Sequence, residues 1–160
     1  MECKMKVNKL ILLLLPALFL ALFAQGSPLV SNTRKAGSYS LTVKVNKLRN
    51  SKGIVQFSLY NKDGTIPDEK FKNYYKQLIG KISNGTSTVI FTHIPAGRYA
   101  VNILHDENRN GKIDKGFILP IEGVGLTNYQ SIGLTNRPKF STASFELKTN
   151  TSKAIKVIYF

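Results

Sequence analysis

The chain has 160 residues, with 23 Lys and Arg against 9 Asp and Glu, a formal net charge of +14 and a pI near 10.0. Its single cysteine, Cys3, excludes an intramolecular disulfide, and the body of the chain has neither a thiol nucleophile nor a thiolate metal ligand. The basic balance points to polyanions as partners. However, the lysines are spread along the chain, with Lys70, Lys72, Lys76 and Lys81 as the nearest approach to a cluster. A solvated surface that keeps the protein soluble is therefore preferred to a specific polyanion site.

The first segment reads as an export signal. Lys4, Lys6 and Lys9 precede an apolar run from Leu10 to Phe23, interrupted by Pro16. Ala24-Gln25-Gly26 then offers small residues for cleavage after Gly26. The run is short for a membrane span, which needs about 20 apolar residues, so a cleaved leader at 1–26 is preferred to an uncleaved anchor. Cys3 precedes the run, which argues against a lipid-anchored protein. Residues 27–37 are polar and small and read as a disordered lead-in. Residues 38–160 are enough for one domain with its own core.

From Tyr39 the pattern has period two. Tyr39, Leu41, Val43 and Val45 share one face and Ser40, Thr42, Lys44 and Asn46 the other, as in a strand with one wet face. Arg49-Asn50-Ser51-Lys52-Gly53 is turn chemistry, and Val55, Phe57 and Leu59 then alternate, suggesting the second strand of a hairpin. Asn61-Lys62-Asp63-Gly64 closes that strand.

Phe71, Tyr74, Tyr75 and Leu78 have helical spacing, so a short helix is expected near residues 68–79, with Asp68 as N-cap and Gly80 at its end. Asn84-Gly85 is the strongest hairpin signal, between Lys81-Ile82 and a strand carrying Val89 and Phe91. Pro95-Ala96-Gly97 makes another turn. Tyr99, Val101 and Ile103 then form a strand that is also apolar at Ala100 and Leu104, which suits a central position.

Residues 117–140 read as a long ordered crossover. Phe145 and Leu147 start a short strand, and Ile155, Val157 and Tyr159 alternate in a last one that runs to the C-terminus. The whole predicts an all-β fold, a single antiparallel β-sandwich of about seven strands.

The most informative segment is Asp106-Glu107-Asn108-Arg109-Asn110-Gly111-Lys112-Ile113-Asp114. Asp106, Asn108 and Asn110 take positions 1, 3 and 5 of an EF-hand-type loop, Gly111 takes the sharp turn, Lys112 offers its carbonyl, and Asp114 takes position 9. This spacing makes Asp106, Asn108, Asn110, Lys112 and Asp114 candidate calcium ligands, with calcium as the implied cofactor. Phe117 stands where an EF-hand supplies a bidentate Glu, so any binding would be weak. The alternative is an Asx-rich turn bonded to its own backbone.

The two histidines, His93 and His105, lack zinc-site spacing and a third ligand. His105 beside Asp106 suggests a hydrolytic pair, but no serine stands in a nucleophile-elbow context, so no catalytic residue is assigned. No phosphate-binding glycine loop or nucleic-acid motif is found. Asn84-Gly85-Thr86 and Asn150-Thr151-Ser152 match glycosylation acceptors, which matter only in a eukaryotic secretory pathway.

Several blocks, in this order and spacing, resemble a known family. They are Leu41-Thr42-Val43, Leu48-Arg49-Asn50-Ser51-Lys52-Gly53, Ile94-Pro95-Ala96-Gly97-Arg98-Tyr99, His105 to Asp114, Pro120-Ile121-Glu122-Gly123, and Pro138-Lys139-Phe140 with Ala143-Ser144-Phe145. They are similar to the bacterial exported domains grouped as domain-of-unknown-function family 2141. The resemblance implies a transthyretin-like or carboxypeptidase-regulatory-like β-sandwich and no assigned activity. Val124, Leu126 and Thr127 stand where the family usually carries aromatic and serine residues.

The expected function is that of an exported, non-enzymatic accessory or binding domain of the bacterial envelope or secretome. Its partner would be an envelope component or a polyanion, met through residues 105–128. A calcium-stabilised structural module is the alternative, and a hydrolase the third reading.

Overall fold

The computed structural model describes residues 37–133 and 135–160. The leader expected at 1–26, and all of the lead-in except Gly37, lie outside the described residues. In chain order the elements are β1 (Ser38–Asn46), β2 (Ile54–Tyr60), β3 (Lys76–Gly80), β4 (Ser87–Pro95), β5 (Gly97–Asp106), β6 (Gly123–Leu126), α1 (Phe140–Ala143), β7 (Phe145–Leu147) and β8 (Thr151–Lys156). They build the expected all-β architecture of two packed sheets, with one single-turn helix.

The first sheet has the order β4-β1-β8. Antiparallel pairing sets Leu41 opposite Phe91 and Val43 opposite Val89. β8 runs parallel to β1, with Ile155 opposite Val45. The second sheet has the order β3-β2-β5-β6, and β7 pairs with the start of β5. β5 is the central strand, and it is buried along almost its whole length.

Between the sheets lie Leu41, Val43, Val45, Val55, Phe57, Leu59, Phe91, Tyr99, Val101 and Ile103, all buried. This is the core that the period-two pattern predicts, because a one-residue slip would turn every one of these side chains outward. Val157, expected in it, packs against the core only partly buried.

The second sheet is also covered on its outer face. Tyr60, Ala100 and Leu126 meet Tyr129, Phe140 and Ala143 there, and Leu104 and Val124 meet Phe71. Gln56 and Ser58 on this face are buried as well. They remain satisfied because Gln77 Nε2 donates to Gln56 Oε1 at 3.2 Å and to Ser58 Oγ at 3.0 Å.

Three expectations are corrected. First, residues 68–79 form no helix. The Asp68 carboxylate instead accepts the Lys72 and Asn73 N–H groups at 2.8 and 2.7 Å, and Phe71 takes φ +47, outside the right-handed helical region. Lys76–Gly80 then becomes an edge strand on β2, with Leu78 opposite Phe57.

Second, β1 and β2 are not a hairpin. Lys47 turns at φ +58, Leu48 plugs the core, and the chain crosses to the other sheet. Asn84-Gly85 does form a tight turn, closed by the Ser83–Thr86 bridge, but it is a corner between sheets because β3 and β4 belong to different ones.

Third, the crossover at 117–140 contains β6, and the last strand ends at Lys156, with only an isolated bridge from Ile158 to Val124.

Candidate binding site

β5 delivers His105 and Asp106 to opposite faces of its sheet, because successive strand residues alternate. His105 is fully buried. Its Nε2 lies 3.0 Å from the Lys52 carbonyl, which can only accept, so Nε2 carries the hydrogen. Its Nδ1 lies 2.8 Å from the Tyr159 hydroxyl, which accepts the Arg49 N–H at 3.1 Å.

Arg49 stacks over the Tyr159 ring at 4.7 Å and donates through Nε to Glu107 Oε1 at 2.6 Å. Burial raises the Glu107 carboxyl, but the hydrogen bonds from Asn50 and Arg49 and the Arg49 charge outweigh it and leave the group below its ordinary range. Burial pushes the Tyr159 phenol up.

Asp106 is also fully buried. Its Oδ1 accepts the Asn110 N–H at 3.0 Å, and its Oδ2 accepts the Gly111 N–H at 2.8 Å and Gln56 Nε2 at 3.0 Å. Gly111 takes φ +75 at the sharp turn, as the spacing predicts.

The Asn108 side chain accepts the Asn110 N–H at 3.0 Å, and the Asn110 side chain accepts the Lys112 N–H at 2.8 Å. Their amide groups both reach the Asp114 carboxylate, Asn108 Nδ2 at 2.6 Å from Oδ2 and Asn110 Nδ2 at 2.9 Å from Oδ1. The loop therefore gathers Asn108, Asn110 and Asp114 at one point, with their polar atoms paired to one another. Asp106 is turned to the backbone and to Gln56. Among the described residues, no group of three or more His, Cys, Asp and Glu side chains is arranged to hold a metal ion.

The sequence reading passed over Glu122. It is buried, and its two oxygens accept the Glu107 N–H at 2.9 Å and the Asp114 N–H at 3.3 Å, which ties both ends of the loop to the start of β6. Burial pushes its carboxyl up; the two N–H bonds oppose this, and the nearby Asp114 and Asp106 charges add to the rise.

His105 and Asp106, adjacent in sequence, form no pair, since they face opposite ways. His93 lies on the other sheet, exposed and at φ +57, where the β1–β4 register shifts. Asn150 uses its side-chain oxygen to accept the Ser40 N–H at 2.9 Å.

The loop, the 66–69 turn and Ile132, Gly133, Arg137 and Pro138 leave an open cleft of about 420 Å3 on the outer face of the second sheet. Ile113, Leu119, Val124, Leu126 and Ile132 make its wall apolar, and Asn102 supplies a polar group. At the rim Lys115 pairs with Glu69 at 2.5 Å, and Arg137 stands nearby. A mostly apolar concavity with few polar groups is the usual form of a small-molecule site.

Fold and cleft define a β-sandwich that carries a loop-walled apolar site. The family model described as an uncharacterized protein conserved in bacteria, DUF2141, matches residues 43–156, and the chain belongs to that family. No curated protein and no solved structure matches the chain significantly.

Proposed function

We propose that the protein is an exported, non-enzymatic binding domain whose ligand is a small apolar or amphiphilic molecule held in the cleft. The observation that carries this reading is the apolar wall of Ile113, Leu119, Val124, Leu126 and Ile132 around a cavity of about 420 Å3. A long ordered segment on a rigid sandwich is a usual place for recognition. Export is supported by the leader pattern at 1–26. The test is titration with a medium-chain fatty acid, and with an anilinonaphthalene dye, of a chain that starts at Ser27. Saturable one-to-one binding is expected, and Leu119→Asp should abolish it while leaving the melting temperature close to the parent's, because Leu119 is 46% exposed. Binding unchanged by Leu119→Asp would contradict the reading.

A second reading, a calcium-stabilised module, is supported by the convergence of Asn108, Asn110 and Asp114. Calcium bound at Asp106, Asn108, Asn110, the Lys112 carbonyl and Asp114 would stabilise the fold by about 2.7 kcal/mol at a hundredfold excess over its dissociation constant. Melts in chelator and in millimolar Ca2+ separate the two: equal midpoints mean that the loop is a self-bonded turn.

A further inference from the structure

The outer tip of the 115–121 segment breaks the rule for turns. The Gly116 N–H bonds the Leu119 carbonyl at 2.9 Å, and Lys115 bridges to Pro120, so Phe117 and Ile118 occupy the two tip positions. Such positions favour Gly, Asn and Asp. Here Phe117 is 101% exposed and Ile118 65% exposed, and Ile121 beside them is 53% exposed. Phe117 takes no part in lining the cleft. An aromatic ring presented wholly to water at a convex tip marks a surface that something else covers.

The charge around the tip says what covers it. Arg109 and Lys112 stand on the same loop and are exposed, as is Lys115, whose charge is matched by Glu69. The acids nearby are engaged: Glu69 with Lys115, Asp114 with the two asparagine amides, and Glu122 buried on the backbone. The chain as a whole is at +14. Apolar side chains at an exposed tip, on a loop that also carries exposed cations in a basic protein, match a bilayer surface of anionic lipid. The Phe117 ring and the Ile118 side chain would enter the acyl boundary, and the cations would stay among the headgroups.

We propose that Phe117 and Ile118 form a membrane-docking tip that seats the domain on anionic phospholipid. This goes beyond the cleft reading and does not depend on it: Ile118 also lines the cleft, but Phe117, the residue that the test changes, does not. The chain has no tryptophan, so Phe117→Trp makes a single reporter at the tip.

The experiment uses a chain starting at Ser27, because residues 37–160 hold the core and the apolar run before Ser27 would itself bind lipid. Vesicles of phosphatidylglycerol with phosphatidylethanolamine, and vesicles of phosphatidylcholine alone, are added to the Phe117→Trp protein. The expected result is a blue shift with quenching by brominated acyl chains in the anionic vesicles only, weakened by salt. In the otherwise native chain, Phe117→Ser should lower the partition coefficient about tenfold, the scale of losing one buried aromatic side chain.

Three results would overturn the proposal. One is no shift with either vesicle. Another is anionic binding that Phe117→Ser leaves unchanged, which would make the attraction purely one of surface lysines. The third is emission already blue-shifted without lipid: if it depends on protein concentration, a second copy covers the tip, and if not, another part of the chain does. Fatty-acid titration of Phe117→Ser reads the cleft separately, so the two readings fail independently.

Discussion

Glu122 holds Glu107 by its main chain: Glu122 Oε1 accepts the Glu107 N–H at 2.9 Å, while the Glu107 carboxylate points away to Arg49. The two acids therefore titrate in opposite senses. Glu122 is pushed up, chiefly by burial, whereas Glu107 ends below its ordinary range because the bonds from Asn50 and Arg49 outweigh burial.

The sign for Glu122 follows from linkage. Its folded pKa is raised, so its contribution to stability is complete below the unfolded pKa and is lost as pH rises through the folded value. Glu122→Gln imitates the protonated form. Its melting temperature relative to the parent should therefore climb as pH goes from 4 to 7 (about the ordinary carboxylate value upward). Parallel melting curves across that window would show that Glu122 is not perturbed in the fold.

Glu107 gives the opposite sign. Its contribution is present above the unfolded pKa and lost as pH falls through the folded one. Arg49→Met should thus narrow the stability gap to the parent in acid and widen it near neutrality. The effect stays small, about 1 kcal/mol or less, because Arg49 is 42% exposed.

Phe57 is fully buried between the sheets, opposite both Leu78 and Ile103. Phe57→Ala should cost about 3–5 kcal/mol in a denaturant titration. A loss below about 1 kcal/mol would mean that the centre of the core is placed wrongly.

Asp106, at the end of β5, accepts three hydrogen bonds, one from Gln56 on β2 and two from the Asn110 and Gly111 N–H groups of its loop. Asp106→Ala strands those donors, so a loss of about 3 kcal/mol is expected in chelator, where calcium plays no part. Asp106→Asn, which keeps one acceptor, should lose less.

Strands β1 and β2 and the core were legible because alternation at Leu41, Val43 and Val45 and at Val55, Phe57 and Leu59 survives as inward-facing rows. What the sequence could not show was which sheet a strand joins. Arg49 to Gly53 looks like a hairpin turn, yet it carries the chain between sheets, because pairing partners are chosen by long-range packing. The helical spacing of Phe71, Tyr74, Tyr75 and Leu78 misled for the same reason. Only Phe71 of the four is buried, and the open edge of β2 claims residues 76–80.

β6 was hidden by its glycines. A Cβ on Gly125 would lie 2.5 Å from the Lys156 carbonyl, so the glycine that reads as loop is what lets this strand approach β8. In the 106–114 loop the turn at Gly111 was legible, because Asx and glycine chemistry is local, whereas the turning of Asp106 towards Gln56 on β2 was not. Its anchor, Glu122, was not legible, because nothing local links a carboxylate to amides at 107 and 114. The cleft is likewise a product of three distant segments, and no periodicity encodes it.

The most direct test of the binding-domain account is amide chemical-shift mapping by NMR during titration of the chain from Ser27 with decanoate. The account predicts saturable shifts concentrated at Asn102, Ile113, Leu119, Leu126 and Ile132, with β1 and β4 on the far sheet unmoved. Shifts scattered over the lysine-bearing surface without saturation, or no shifts at the cleft, would contradict it.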